Sequence, residues 1–173
     1  MSVMVDAGPT MTFTGFHDQN SVIMVYTHQF TDRFTYATQV TVGDELHGSA
    51  VVPGADDQWY GTEQLFTYKL NPKWSVGLRY EWVQDNGGSR IAGIGNVLGT
   101  DKGWLGAPGF AGAFSDLTVG LNYRPHPNFT LRPELRWDWY TGPPNPNPAT
   151  PLPFGDYNHA SQFTVAMDLL TTF

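Results

Sequence analysis

The stretch Ser161-Gln162-Phe163-Thr164-Val165-Ala166-Met167-Asp168-Leu169-Leu170-Thr171-Thr172-Phe173 decides how this chain is read, because it alternates through to its last residue. Phe163, Val165, Met167, Leu169 and Phe173 fall on one side of an extended strand, while Gln162, Thr164, Asp168 and Thr172 fall on the other. The period is two rather than 3.6, which selects a strand over a helix. One apolar face, one polar face and a terminal aromatic are what a transmembrane β-barrel needs in a closing strand.

Working outward from that end, the same alternation recurs. Residues 129–141 place Leu131, Leu135, Trp137 and Trp139 opposite Arg132, Glu134, Arg136 and Asp138. Residues 114–124 place Leu117, Val119, Leu121 and Tyr123 opposite Asp116, Thr118 and Asn122. In 73–84, Trp74, Val76, Leu78, Tyr80 and Trp82 face away from Ser75, Arg79 and Glu81; in 58–70, Tyr60, Phe66 and Tyr68 face away from Glu63 and Lys69. Residues 34–42 set Phe34, Tyr36, Val40 and Val42 against Thr35, Ala37, Gln39 and Thr41. Two further strands are expected at 9–16 and 21–30, joined by a polar corner, His17 to Asn20. The second of these is apolar on both sides, so its inward face stays open.

The connections are short and long in turn. Tight turns follow Phe30, Leu70 and Arg124, whereas 43–57, 85–113 and 142–159 are long, and the longest is rich in glycine. Short turns on one side and long loops on the other are the habit of outer-membrane barrels. Aromatics gather at both strand ends, forming two girdles. Phe34, Tyr68, Trp74, Tyr123, Phe129 and Phe173 lie near the short turns, and Tyr60, Tyr80, Trp82, Trp137 and Trp139 toward the long loops. The fold expected is all-β: an antiparallel up-and-down transmembrane barrel of about eight strands, or an eight-strand arc of a larger one, with 1–173 as a single domain.

Composition agrees. In 173 residues, 19 Gly, 13 Pro and 14% aromatics against only 14% charged residues make a poor soluble surface, yet the mean hydropathy is −0.30. Alternation reconciles the two, since lipid-facing and lumen-facing residues cancel in any average. No apolar run approaches the roughly 18 to 20 residues of a membrane helix. The absence of cysteine removes disulfides and thiolate metal sites, and a net charge of −7 argues against nucleic acid as a partner. Residues 1–10 lack a basic segment followed by an apolar one, so an exported protein of this kind is expected here as a mature form or a fragment.

The motifs then add a resemblance. Trp59-Tyr60-Gly61, Trp74-Ser75-Val76-Gly77, the run Gly120-Leu121-Asn122-Tyr123-Arg124-Pro125-His126-Pro127-Asn128 and the run Arg132-Pro133-Glu134-Leu135-Arg136-Trp137-Asp138-Trp139-Tyr140 are similar to the OmpL-like β-barrel porin family. Ser161-Gln162-Phe163-Thr164 and Thr171-Thr172-Phe173 resemble it too. The likeness is most specific from about Asp57 onward. Members of that family are longer, with a signal peptide and further strands upstream. The resemblance therefore implies the carboxyl-terminal part of a larger barrel, and it carries over no catalytic residue.

Arg79, Glu81, Arg132, Glu134, Arg136, Asp138 and Asp168 are the candidate lumen-lining residues, with opposite charges able to pair across strands. In a closed eight-strand barrel they would satisfy one another in a filled interior; in a wider barrel they would set up a transverse field that tunes which ions pass. Weaker constellations are the spaced glycines of 93–99, which lack the strand-turn-helix setting of a nucleotide site. Asp156, His159 and Ser161 at the outer rim could serve a lipid-modifying serine enzyme, but short polar residues entering a strand are commonplace. Acidic residues Asp44, Glu45, Asp56, Asp57, Asp85 and Asp101 read as a solvated loop face before they read as a divalent-cation site.

The function expected is passive: a bacterial outer-membrane porin-like barrel admitting small polar solutes, with no catalytic residue, metal or cofactor. Its partners would be outer-membrane lipid, the barrel-assembly machinery acting through the last strand, and the solutes; self-association stays open. The rivals are an outer-membrane lipid hydrolase or acyltransferase and a soluble ligand-binding β-barrel, which would need its apolar faces inside. Closure within this chain would require its first strand to pair with its last, yet the first is short and begins at Pro9, which has no amide hydrogen to donate. The two terminal strands are therefore expected either to pair imperfectly or to leave a gap, and the isolated chain to show no stable conductance.

Overall fold

The computed structural model describes residues 1–12, 15–90, 109–144, 148 and 151–172, with 9–12 and 15–17 described by their backbone alone. Its strands are β1 (Ser2–Thr12), β2 (Gly15–Gln29), β3 (Phe34–Glu45), β4 (Asp57–Asn71), β5 (Trp74–Asp85), β6 (Gly112–His126), β7 (Phe129–Thr141) and β8 (Ser161–Thr171). They form one antiparallel, up-and-down sheet of eight strands in sequence order. No helix is long and apolar enough to cross a membrane among the described residues.

The sheet is open. Among the described residues no pairing or contact joins β1 to β8, in agreement with the gap expected from the sequence. Each edge strand is 11 residues long. Unpaired backbone of that length cannot face hydrocarbon unless something covers it.

The amino-terminal hairpin corrects the sequence reading. The strands expected at 9–16 and 21–30 with a corner at His17 to Asn20 are instead β1 and β2, and that polar stretch lies inside β2. Asp18, Gln19 and Asn20 pair with Pro9, Gly8 and Ala7 on one side; Gln19 and Asn20 also pair with Glu45 and Asp44 on the other. Two flanking ladders outweigh the local turn preference of such residues. Pro9 sits in an edge strand, where a missing donor is tolerated. A smaller correction concerns the third tight turn, which is Pro127 and Asn128, since β6 runs through Pro125 to His126.

Residues paired across strands share a face, so the register carries one face through the sheet. On the apolar face, Leu135 is 49% exposed, Trp137 55% and Val165 69%. On the opposite, polar face, Asp116, Thr118, Asp138 and Tyr140 are buried. That is the reverse of a soluble barrel, whose apolar side chains would be enclosed.

The two ends of the sheet are finished differently. At the short-turn end, Thr31 Oγ1 accepts hydrogen bonds from the amides of Arg33 (3.2 Å) and Phe34 (3.0 Å). Asn71 Oδ1 accepts from Lys73 (2.9 Å) and Trp74 (3.1 Å) in the same way. At the long-loop end the connections fold over the polar face. Phe110, Phe114 and Tyr140 make a buried aromatic core there, with Leu152, Phe154 and Tyr157 packed against it. The Tyr140 hydroxyl lies 2.8 Å from the carbonyl of Ala111 and 3.0 Å from that of Pro143.

Candidate functional site

The site is the polar face of β4 to β8, and the register builds it rung by rung. Glu63 of β4 lies opposite Glu81 of β5, Glu81 opposite Asp116 of β6, Asp116 opposite Asp138 of β7, and Asp138 opposite Gln162 of β8. Four carboxylates on four neighbouring strands thus occupy one rung. The next rung toward the short turns runs Leu65, Arg79, Thr118, Arg136, Thr164, and so supplies two guanidiniums.

Like charges facing each other across a strand pair repel, and the arginines offset this by reaching up between them. Arg136 places Nε 2.6 Å from Asp138 Oδ1 and Nη2 3.3 Å from Asp116 Oδ2. Arg79 places Nε 3.0 Å from Glu81 Oε1 and Nη2 3.8 Å from Asp116 Oδ1. Gln162 Nε2 donates to Asp138 Oδ2 at 2.9 Å, closing the row on the β8 side. Asp116 and Asp138 are buried, so losing Arg136 would leave Asp138 without its ion pair and Asp116 with Arg79 alone, at 3.8 Å. On the β4 side the row ends at half-buried Glu63, and among the described residues no base stands within ion-pair distance of its carboxylate.

All seven candidate lumen residues share this face, by strand parity and register. Arg79, Glu81, Arg136 and Asp138 join in the network just described. Arg132 and Asp168 form a separate, two-point pair between β7 and β8 that is exposed. Glu134 lies a rung between them, opposite Gly120 and Ala166. The pairs run along strands and between neighbours. The participants that sequence reading left out of the lumen-lining set are Asp116, Glu63 and Gln162; alternation already set all three on the polar side, but only the register shows that they form one row.

Above this row the aromatic core overhangs the polar face. Between them is a cavity of about 260 Å³ lined by Glu81, Asp116, Arg136, Asp138, Gln162, Phe114 and Phe154 among others. Farther out, the acidic loop residues depart from a solvated face. Asp57 and Asp85 are fully buried, as is Glu45. Asp57 accepts from the Gly87 amide at 2.5 Å and from the Ser89 hydroxyl; Asp85 accepts from the amides of Gly88 (2.6 Å) and Arg90 (2.8 Å). Gly88 has φ +68°, and a side chain on Gly87 would collide with the Asp57 carboxylate, so both positions need glycine. The Arg90 guanidinium lies 3.6 Å over the Trp59 ring. Asp44 and Asp56 are not buried, and among the described residues no group of carboxylates and histidines is arranged to hold a metal ion.

On the apolar face the aromatics meet in pairs near the strand ends. Trp74 stacks on Tyr123 with ring centres 4.1 Å apart, next to the short turns, where Tyr68 pairs with Phe34. Tyr60 and Trp82 (5.7 Å), Tyr80 and Trp139 (6.2 Å), and Trp137 and Trp139 (5.9 Å) meet toward the long loops. Phe173 lies outside the described residues, as do Asp101 and the glycine run 93–99. Asp156, His159 and Ser161 are exposed, and among the described residues no hydrogen bond or ion pair links them.

An up-and-down antiparallel sheet with a charged, loop-covered face and an exposed apolar face is the wall of a transmembrane β-barrel or an arc of one. The comparison with protein families agrees: the model of the family described as putative beta-barrel porin-2, OmpL-like, matches residues 6–173. The chain belongs to that family. No curated protein and no solved structure matches it.

Proposed function

We propose that this chain forms wall of a porin-like barrel in the bacterial outer membrane, through which small polar solutes pass passively. The single observation that carries the reading is the inversion of the faces: Leu78, Val119, Leu135, Trp137, Val165 and Leu169 on one side are exposed while Asp116 and Asp138 on the other side are buried. Lipid covers the first face and the aqueous lumen adjoins the second. Arg79, Glu81, Arg132, Glu134, Arg136, Asp138 and Asp168 then line the lumen. Tyr60, Tyr68, Trp74, Tyr80, Trp82, Tyr123, Trp137 and Trp139 lie toward the two headgroup regions, where an amphipathic ring suits both media. β8 is the strand that barrel-assembly machinery would engage.

The test compares neighbours on one strand. Leu135→Arg should destabilise the lipid-embedded barrel by about 2 to 4 kcal/mol, and Arg136→Leu by less. Urea unfolding in lipid vesicles measures both. Equal penalties, or a larger one for Arg136→Leu, would favour a soluble barrel. For the passage itself, vesicles carrying the assembled barrel should swell in small neutral solutes, and vesicles that do not swell would remove the porin reading.

A further inference from the structure

We propose that the rung Glu63, Glu81, Asp116, Asp138, whose last three members line the cavity beneath Phe114 and Phe154, makes the passage selective for small cations, with Glu63 beside them as the member that has no ion-pair partner among the described residues. This rests on the porin reading above. Charge balance comes first: four carboxylates against Arg79 and Arg136 leave two negative charges in excess on one short band of wall. Both arginines are committed to Glu81, Asp116 and Asp138, so the field reaching the lumen is negative and strongest toward Glu63.

Folding gives no reason for this arrangement. Glu63 faces Glu81 directly, and opposed like charges cost stability. A glutamine would occupy the same space without that repulsion, as Gln162 does at the other end of the row. The overhang supplies the remaining element. Phe110, Phe154 and Tyr157 come from the connections and cover the polar face above the row, leaving the 260 Å³ cavity between aromatic cover and carboxylates. Solutes entering from the loop side are thereby brought against the acidic rung. A cation leaves water there for carboxylate oxygens; an anion meets excess negative charge in a partly desolvated site.

The experiment uses the barrel as assembled in the outer membrane, purified in detergent and inserted into planar bilayers under a KCl gradient. The wild type should reverse at a potential of the sign that marks K⁺ as more permeant than Cl⁻. Glu63→Gln should lower that permeability ratio by about twofold, the weight of one unit charge on an ion roughly 8 Å away in water, while its urea unfolding midpoint stays level or rises. Steady channels with no cation preference would overturn this assignment and leave the porin reading standing. An unchanged ratio in Glu63→Gln, or a variant that is less stable or fails to assemble, would overturn it too, because Glu63 would then be idle or structural. Absence of any channel would remove the porin reading and this inference with it.

Discussion

Asn71, at the short-turn end, binds backbone amides two and three residues ahead; Asp57, at the long-loop end, binds Gly87 and Ser89, 30 and 32 residues away. The first end is held by contacts that local sequence makes for itself. The second exists only once β4, β5 and the connections have come together, because its carboxylates are desolvated there and would be ordinary solvated acids in an open chain. The comparison also separates two jobs. Short turns set the register between strands, and the register is what aligns the charged rung. Long loops decide what covers that rung.

Three substitutions test the contrast. Phe110→Ala should have the largest effect, about 3 kcal/mol, because a ring 1% exposed leaves a void against Phe114 and Tyr140. Hydrogen exchange should show the loss confined to the long-loop end, with the amides around Asn71 still protected; loss spread evenly over both ends would break the distinction. Asp57→Ala should cost about 2 kcal/mol by leaving the Gly87 amide and the Ser89 hydroxyl without an acceptor. Limited proteolysis after Arg90 would report the loosened connection, and unchanged resistance would mean that water replaces the carboxylate. Asn71→Ala should be mildest, about 1 kcal/mol, since its two acceptor bonds are exposed and water can substitute. An unfolding loss larger than that of Asp57→Ala would mean that the short turn governs the sheet after all.

The enzymatic rival has its own discriminating variants. Ser161→Ala and His159→Ala should leave both channel conductance and the membrane's lipid composition unchanged. Loss of a lipid modification in either would shift the reading to a hydrolase or acyltransferase.

What could be read in advance follows the same division. Residues 73–84 and 129–141 announced their strands and faces because the pleat turns successive side chains to opposite sides, so composition along one strand encodes its orientation. Asn71-Pro72 announced its turn because proline and asparagine fix their own backbone, whereas the turn expected directly after Arg124 falls two residues later, at Pro127 and Asn128. The residues of the amino-terminal hairpin did not: His17 to Asn20 look like a corner in isolation, and only the ladders to β1 and β3 make them strand. By itself, then, the sequence determined an all-β chain of about eight alternating strands with charged and apolar faces, since period-two patterning is a property of each strand alone. Only the tertiary structure decided that Glu63, Glu81, Asp116 and Asp138 stand in one row, that Arg79 and Arg136 knit it, and that an aromatic core overhangs it. Each of these depends on register and on contacts between residues far apart in the chain, and no local pattern encodes the pairing of one strand with another.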